Sequence, residues 1–377
     1  MHQAAELLAE LVTIDSVNPD LVPGGAGEAA IAAFVADWCR GAGLEVTVEE
    51  AAPGRPNVVA VARGTGGGRS LMLNAHTDTV GVAGMRRPHE PVVEGSRLYG
   101  RGSYDMKGGL AAAMLVAAGA ARTGLRGDVL LTAVIDEENG SIGTSAVLRR
   151  WTADAAVVTE PTELDVCVAH KGFVWLEVET EGRAAHGSRP DLGVDAIAKM
   201  GRVLTGLEAL DRRLRAGPAH PLLGTGSVHA SLIAGGQERS SYPERCRLDV
   251  ERRTVPGETA GGVLDELRAV VAAAAAEDPE LRAEVRAGQC QLPLETAAES
   301  PVVRAVVEAA EAGGGRPPRL FGAPFWTDAA LLAAAGIPAV LFGPGGDGAH
   351  AVVEWSDLDQ VARSVEVLTR VAGRICG

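Results

Sequence analysis

Apolar positions along the chain switch between a helical period and a strand period, and the order of the switches predicts the architecture. Residues 6–14 and 28–40 place apolar side chains at helical spacing, and Gly41 and Gly43 close the second run. Residues 44–49 and 58–63 alternate like strands, and 70–75 is a short apolar strand. An alanine-rich helix is expected over 109–122. The continuous apolar run 128–135 reads as a strand buried on both faces, 142–150 as a helix and 155–159 as another buried strand. Strands alternating with helices predict an α/β fold, a mostly parallel sheet with helices on both faces.

The pattern changes near residue 173. Residues 173–180 alternate apolar and polar side chains, as a strand with one exposed face does. Strands are also expected over 227–234, 246–251 and 281–286, with amphipathic helices over 195–215 and 264–276. This is the pattern of a compact α+β insert. Parallel-sheet character returns after residue 290, with helices over 301–312 and 328–335, a buried strand over 338–342 and a closing helix over 358–371. The layout expected is one α/β domain of residues 1–172 and 289–377, interrupted by an α+β domain of residues 173–288.

Composition narrows the function. At roughly 150 residues per domain, 377 residues leave room for two domains or three. With 46% hydrophobic and 22% charged residues the chain is globular, and disorder is excluded as its main state. Aromatics are only 3%, so the core must be built from Ala, Val and Leu. There are 35 Lys and Arg against 49 Asp and Glu, a net charge of −14. That balance argues against a nucleic-acid partner and against an anionic membrane. It leaves anionic small substrates open, because a local Arg overrides the global field. The longest apolar runs, such as 110–118, stay short of the ~20 residues of a spanning helix. The five cysteines (Cys39, Cys167, Cys246, Cys290 and Cys376) are widely spaced with no C-x-x-C pair, and the first residues lack a basic, apolar leader. A cytoplasmic location is expected.

The candidate chemistry collects at strand ends. His76 and Asp78 follow the strand 70–75, Glu137 and Glu138 follow 128–135, Glu160 follows 155–159, and His350 follows 338–342 and a glycine-rich loop. Asp105 stands just before the helix 109–122. Ligand sites of open α/β sheets form at the carboxyl ends of strands, so these side chains would converge on one edge. His with carboxylates suits zinc, cobalt or manganese. A carboxylate that uses both oxygens can bridge two cations, and Asp105 is placed for it. His76 and Glu160 would complete one metal, Glu138 and His350 the other. Glu137, beside a ligand, would be the general base. Asp78 would fix the His76 imidazole. Singly, each residue has a plainer reading as helix cap, solvated pair or surface histidine. The string Gly343-Pro344-Gly345-Gly346-Asp347-Gly348 matches G-x-G-x-x-G, but no helical pattern opens after it, so it reads as a loop.

These motifs resemble those of the co-catalytic dizinc exopeptidase and deacylase family, which includes acetylornithine deacetylase, succinyl-diaminopimelate desuccinylase, aminoacylase and glutamate carboxypeptidases. The resemblance is carried by His76-Thr77-Asp78-Thr79-Val80, by Gly100-Arg101-Gly102-Ser103-Tyr104-Asp105-Met106-Lys107-Gly108-Gly109, by Asp136-Glu137-Glu138 with Gly140 and Gly143-Thr144, and by Thr159-Glu160-Pro161-Thr162. It runs from Ser16-Val17-Asn18-Pro19 to the last helix. It implies that the inserted domain is a lid and homodimerisation module. It also implies that His186, in Gly182-Arg183-Ala184-Ala185-His186-Gly187-Ser188, stabilises the tetrahedral intermediate, and that Arg253 grips the substrate carboxylate. Ser240 stands where the family often has Asn, and Gly81 where it has Pro. The expected function is metal-dependent hydrolysis of the amide bond of an N-acyl amino acid, using two divalent metals, zinc first, with cobalt or manganese as alternatives. A short peptide is the alternative substrate. An inactive ligand-binding relative and a nucleotide binder resting on the Gly343 loop are the readings from other classes. The aromatics Phe321, Phe325 and Trp326 are expected either to line a pocket or to pack over the core.

Overall fold

The computed structural model describes residues 2–314 and 316–377. The chain forms two compact units. The first runs up to Val168 and includes Thr296–Phe321 and Thr327–Gly377; the second is Ala169–Glu295 with Gly322–Trp326.

A mixed sheet organises the first unit. Its centre is parallel: Val129–Val134, Leu71–His76, Ala155–Val158 and Ala339–Leu341 lie side by side in that order. Antiparallel neighbours flank the centre. On one side Glu45–Ala52 and Arg55–Ala62 form a hairpin whose turn uses Gly54 at φ +70°, a conformation glycine adopts without steric cost. The sequence does not separate these two arrangements, because a short apolar strand looks alike in both.

Alternation explains the burial. Val58, Ala60, Leu71, Leu73, Leu131 and Val157 point to one face, where they pack with residues of the helices His2–Thr13, Ala29–Gly41, Gly108–Ala120, Pro301–Ala312 and Leu358–Cys376. The alternate residues Val59, Val61, Met72, Leu130 and Ala156 are buried as well, so both faces are covered. Fully burying one such branched side chain is worth roughly 1.5–3 kcal/mol. Helix Gly108–Ala120 is apolar on every side and almost wholly buried. Leu358–Cys376 is instead amphipathic, with Leu358, Val361, Val367, Leu368 and Val371 inward and Asp357 capping its start by accepting the Asp359 and Gln360 N–H groups. A small second sheet, Gly346–Asp347, Trp355–Asp357, Arg97–Tyr99 and Val92–Glu94, was not anticipated; its strands are too short to show a period.

The second unit follows the order β-α-β-β-α-β. Its antiparallel sheet orders the strands Ser227–Gly235, Arg245–Thr254, Gly172–Glu181 and Arg282–Gln291. Val174, Leu176, Val178, Leu248 and Val250 pack on the helices Ala196–Ala216 and Ala260–Glu277 through Met200, Val203, Leu207, Val263 and Leu267. Asp195 and Thr259 cap those helices. The opposite face keeps Trp175 and a ladder of charges, Glu177 between Arg247 and Arg286, in solvent.

Candidate metal centre

In the first unit the parallel strands end on one edge, and the singled-out side chains stand there. His76 is the last residue of Leu71–His76; Glu137 and Glu138 follow Val129–Val134; Glu160 follows Ala155–Val158; His350 lies in the loop after Gly346–Asp347. Asp105 sits in the irregular turn Ser103–Lys107, with the Asp105–Met106 peptide cis. Gly109 explains how that turn comes close: a Cβ there would run into the Thr159 carbonyl, so only glycine lets the helix start against the strand end that bears Glu160.

Asp105 stands between two histidines. Its Oδ1 is 3.2 Å from His76 Nε2, and its Oδ2 is 3.5 Å from His350 Nε2. Glu160 Oε1 joins the His76 side at 3.7 Å, and Glu138 Oε2 joins the His350 side at 3.1 Å. Donor atoms of His76, Glu137 and Glu160 lie within 4.8 Å of one another, as do those of His76, Asp105 and Glu138. His76 Nδ1 donates to the Asp78 carbonyl at 2.9 Å, which presents Nε2 to Asp105. The Asp78 carboxylate accepts the Glu137 and Glu138 N–H groups, both at 3.2 Å, and the Asn18 amide at 2.8 Å.

The electrostatics are those of anions crowded out of water. Burial pushes the carboxyls of Glu137 and Glu160 well above the usual range; His76 pulls them down, and neighbouring carboxylates add to the rise. Glu138 is raised by burial and by Asp105. For Asp105 burial is outweighed by hydrogen bonds from His350 and His76, and its carboxyl falls below the usual range. The same bonds to Asp105 and Glu138 lift His350 to about 10. Burial would depress His76, but the Asp105 bond and the surrounding carboxylates hold it well above the histidine range. Two imidazoles and three carboxylates between 3.1 and 3.7 Å apart make a donor set of the nitrogen-and-oxygen kind that zinc, cobalt or manganese takes. A bound cation also supplies the positive charge that such buried carboxylates need.

Sequence reasoning missed several supporting residues. Asp328, fully buried, has its carboxyl raised to about 7 by burial, against hydrogen bonding from Thr144 at 2.7 Å. The sequence showed it only as a helix start. Asn18, seen as part of a motif, gives one amide hydrogen to Asp78 and the other to Asp136 Oδ1 at 2.9 Å. Arg55 and Glu28 form a buried pair behind it, with Arg55 also 3.2 Å from Asp136. Asp136 itself adopts φ +66°, and so turns the chain sharply just before Glu137. No period or motif spacing signals Arg55 or Glu28. The Gly343 string runs into the strand Gly346–Asp347, not a helix.

His186 and Arg253 belong to the second unit. His186 is exposed, and its Nδ1 lies 2.8 Å from Ser188 Oγ and 3.2 Å from the Ser188 backbone nitrogen. Ser240, at the place of the family's Asn, accepts the Gly187 N–H through its carbonyl at 2.6 Å. Arg253 lies over the Phe173 ring, 5.4 Å from its centroid, and donates through Nε to Glu251 at 2.6 Å. Trp326 packs edge-on against Phe173 and His170, while Phe325 is exposed.

Comparison with known proteins decides the family. Residues 72–374 match the model of peptidase family M20/M25/M40. The protein belongs to this family. Acetylornithine deacetylase of Myxococcus xanthus is 31% identical over 98% of this chain and 97% of its own length. An N-formyl-4-amino-5-aminomethyl-2-methylpyrimidine deformylase of Bacillus subtilis is 28% identical over 90% of this chain and 87% of its own. Among solved structures, the aminopeptidase PepT of Bacillus cereus has a TM-score of 0.82 at 19% identity, covering 100% of this chain and 99% of that one. As an M20 member the protein is a metallohydrolase that acts on amide bonds. No helix among the described residues is long and apolar enough to cross a membrane.

Proposed function

We propose that the protein is an N-acyl amino acid deacylase of the acetylornithine deacetylase or succinyl-diaminopimelate desuccinylase kind. The observation that carries this reading is Asp105, whose two oxygens face two different histidines. His76, Asp105 and Glu160 would hold one divalent cation; Glu138, Asp105 and His350 would hold the other, zinc being the first candidate. Such a pair supplies Lewis acidity, which polarises an amide carbonyl and makes water acidic enough to attack at neutral pH. Glu137, beside His76 and Glu160, takes a proton from the attacking water and delivers it to the leaving amine. Asp78 holds the His76 ring and, through two N–H groups, the backbone of Glu137 and Glu138.

The second unit supplies the remaining roles. His186 donates a ring N–H to the carbonyl oxygen as charge develops there. Arg253, aimed by Glu251, pairs with the free carboxylate of the amino-acid half. This unit is the lid and the surface for a homodimer. A reducing, cytoplasmic setting suits a chain of five widely spaced cysteines without a C-x-x-C pair.

Amine release from N-acetyl and N-succinyl amino acids, set against dipeptides, tests the reading. Faster release from the N-acyl amino acids is expected. Release from dipeptides alone would assign a dipeptidase or carboxypeptidase instead.

A further inference from the structure

The loop that carries Asp105 and the loop that carries His350 are tied together by one buried carboxylate, that of Glu354. Glu354 is 1% exposed. Its Oε2 accepts the Arg101 Nη1 at 2.6 Å and the Gly102 N–H at 2.9 Å; its Oε1 accepts the Tyr104 N–H at 3.0 Å and the Asp105 N–H at 3.1 Å. Gly102 adopts φ +77°, a left-handed turn from which its own N–H and those of Tyr104 and Asp105 converge on one anion. The Glu354 carbonyl in turn accepts the Gly100 N–H at 3.1 Å. Arg101 closes the circuit: its Nη2 donates to the Ala351 carbonyl at 2.9 Å and to the Gly81 carbonyl at 3.0 Å. One charge pair therefore touches the residue after His350, the residue after Val80 and the backbone of Asp105 itself.

We propose that Glu354 is a positioning residue, which fixes the Asp105 loop against the His350 loop and so sets the spacing of these two ligands. The inference rests on the reading of Asp105 and His350 as metal ligands. Only a carboxylate meets the donor set, because each of its two oxygens must serve two donors. An amide of the same shape turns an NH2 toward an N–H and leaves buried donors without an acceptor. Residues that hold a metal ligand in place typically change metal affinity or activity by 10–100-fold when altered, without touching the metal.

The test uses the full chain and zinc alone. Zinc affinity of the wild type, Glu354→Gln and Glu354→Asp is measured by competition with a chromophoric chelator, with the thermal midpoint of each metal-free protein alongside. Hydrogen exchange of the segment 101–105 is followed in the metal-free proteins. The expected result is roughly 10–100-fold weaker binding of one zinc equivalent in Glu354→Gln, with faster exchange of 101–105 and the folded state kept. Glu354→Asp, which keeps the charge one methylene short, falls between, and it carries the test if the Gln variant does not fold. A lowered midpoint with both zinc equivalents bound as in the wild type would show a structural role only and overturn the proposal. Unchanged exchange of 101–105 would overturn it as well. A wild type that binds no zinc would overturn the metal reading and the ligand-spacing claim with it, while the exchange data still report whether Glu354 clamps the loop.

Discussion

The Glu138 backbone N–H donates to the Asp78 carboxylate at 3.2 Å, so the residue whose carbonyl orients His76 also anchors the strand-end turn that bears Glu138. Two candidate ligands from different strands thus share one buried support. Asp78→Asn removes the charge and turns an NH2 toward donors that need an acceptor. Zinc affinity or turnover should fall roughly 10–100-fold, measured by chelator competition and amine release. Wild-type values for both would remove Asp78 from the site.

Glu137 is close enough to His76 and Glu160 to join them in holding a cation, whereas the role proposed for it is that of the base. Glu137→Ala should keep metal content near that of the wild type and lower turnover by about 10²–10⁴-fold. Elemental analysis beside amine-release kinetics separates the two roles. Loss of metal together with activity would make Glu137 a ligand.

His186 is exposed and makes local contacts with Ser188, so its loss should leave the fold intact. His186→Ala should lower kcat by about 10²–10³-fold, the usual effect of deleting a donor to a developing oxyanion. Circular dichroism checks the fold. An unchanged kcat would end this assignment.

Away from the site, Asp165 gives a pH signature. Its carboxyl lies below the usual range: burial would raise it, but bonds from the Arg319 backbone and the Arg319 and Arg316 guanidinium groups outweigh that. A depressed folded-state value means stabilisation that is present above the unfolded value of about 3.9 and is lost as pH falls through the folded one. Both arginines are exposed and screened, so Asp165→Asn should cost only about 1 kcal/mol at pH 7. Urea unfolding of both proteins at neutral and strongly acidic pH checks this. The difference should vanish in acid, and a difference that persists there would refute the linkage.

The sequence was most legible where chemistry needs a particular residue at a strand end. His76, Asp105, Glu138, Glu160 and His350 could be named because each follows or precedes an apolar run that ends on one edge. Strand order and direction were less legible: the edge hairpin Glu45–Ala52 and Arg55–Ala62 pairs antiparallel, and the alternation expected over 58–63 is not met, because that strand is buried on both faces. The supports were least legible. Glu28, Arg55 and Glu354 are charged residues that read as surface by composition, and only tertiary pairing shows that they are buried. Unit boundaries also escape the pattern, since the short segment Gly322–Trp326 joins the second unit although its neighbours in sequence belong to the first.

In the proposed metal centre Asp105 would serve two cations at once, one through each oxygen. Elemental analysis of the zinc-reconstituted wild type and of Asp105→Asn, together with amine release from N-acyl amino acids, tests it most directly. Two zinc ions per chain in the wild type are expected, with metal and turnover lost together in the variant. A wild type that releases amine with one zinc or none, or an Asp105→Asn protein that keeps both ions, would contradict it.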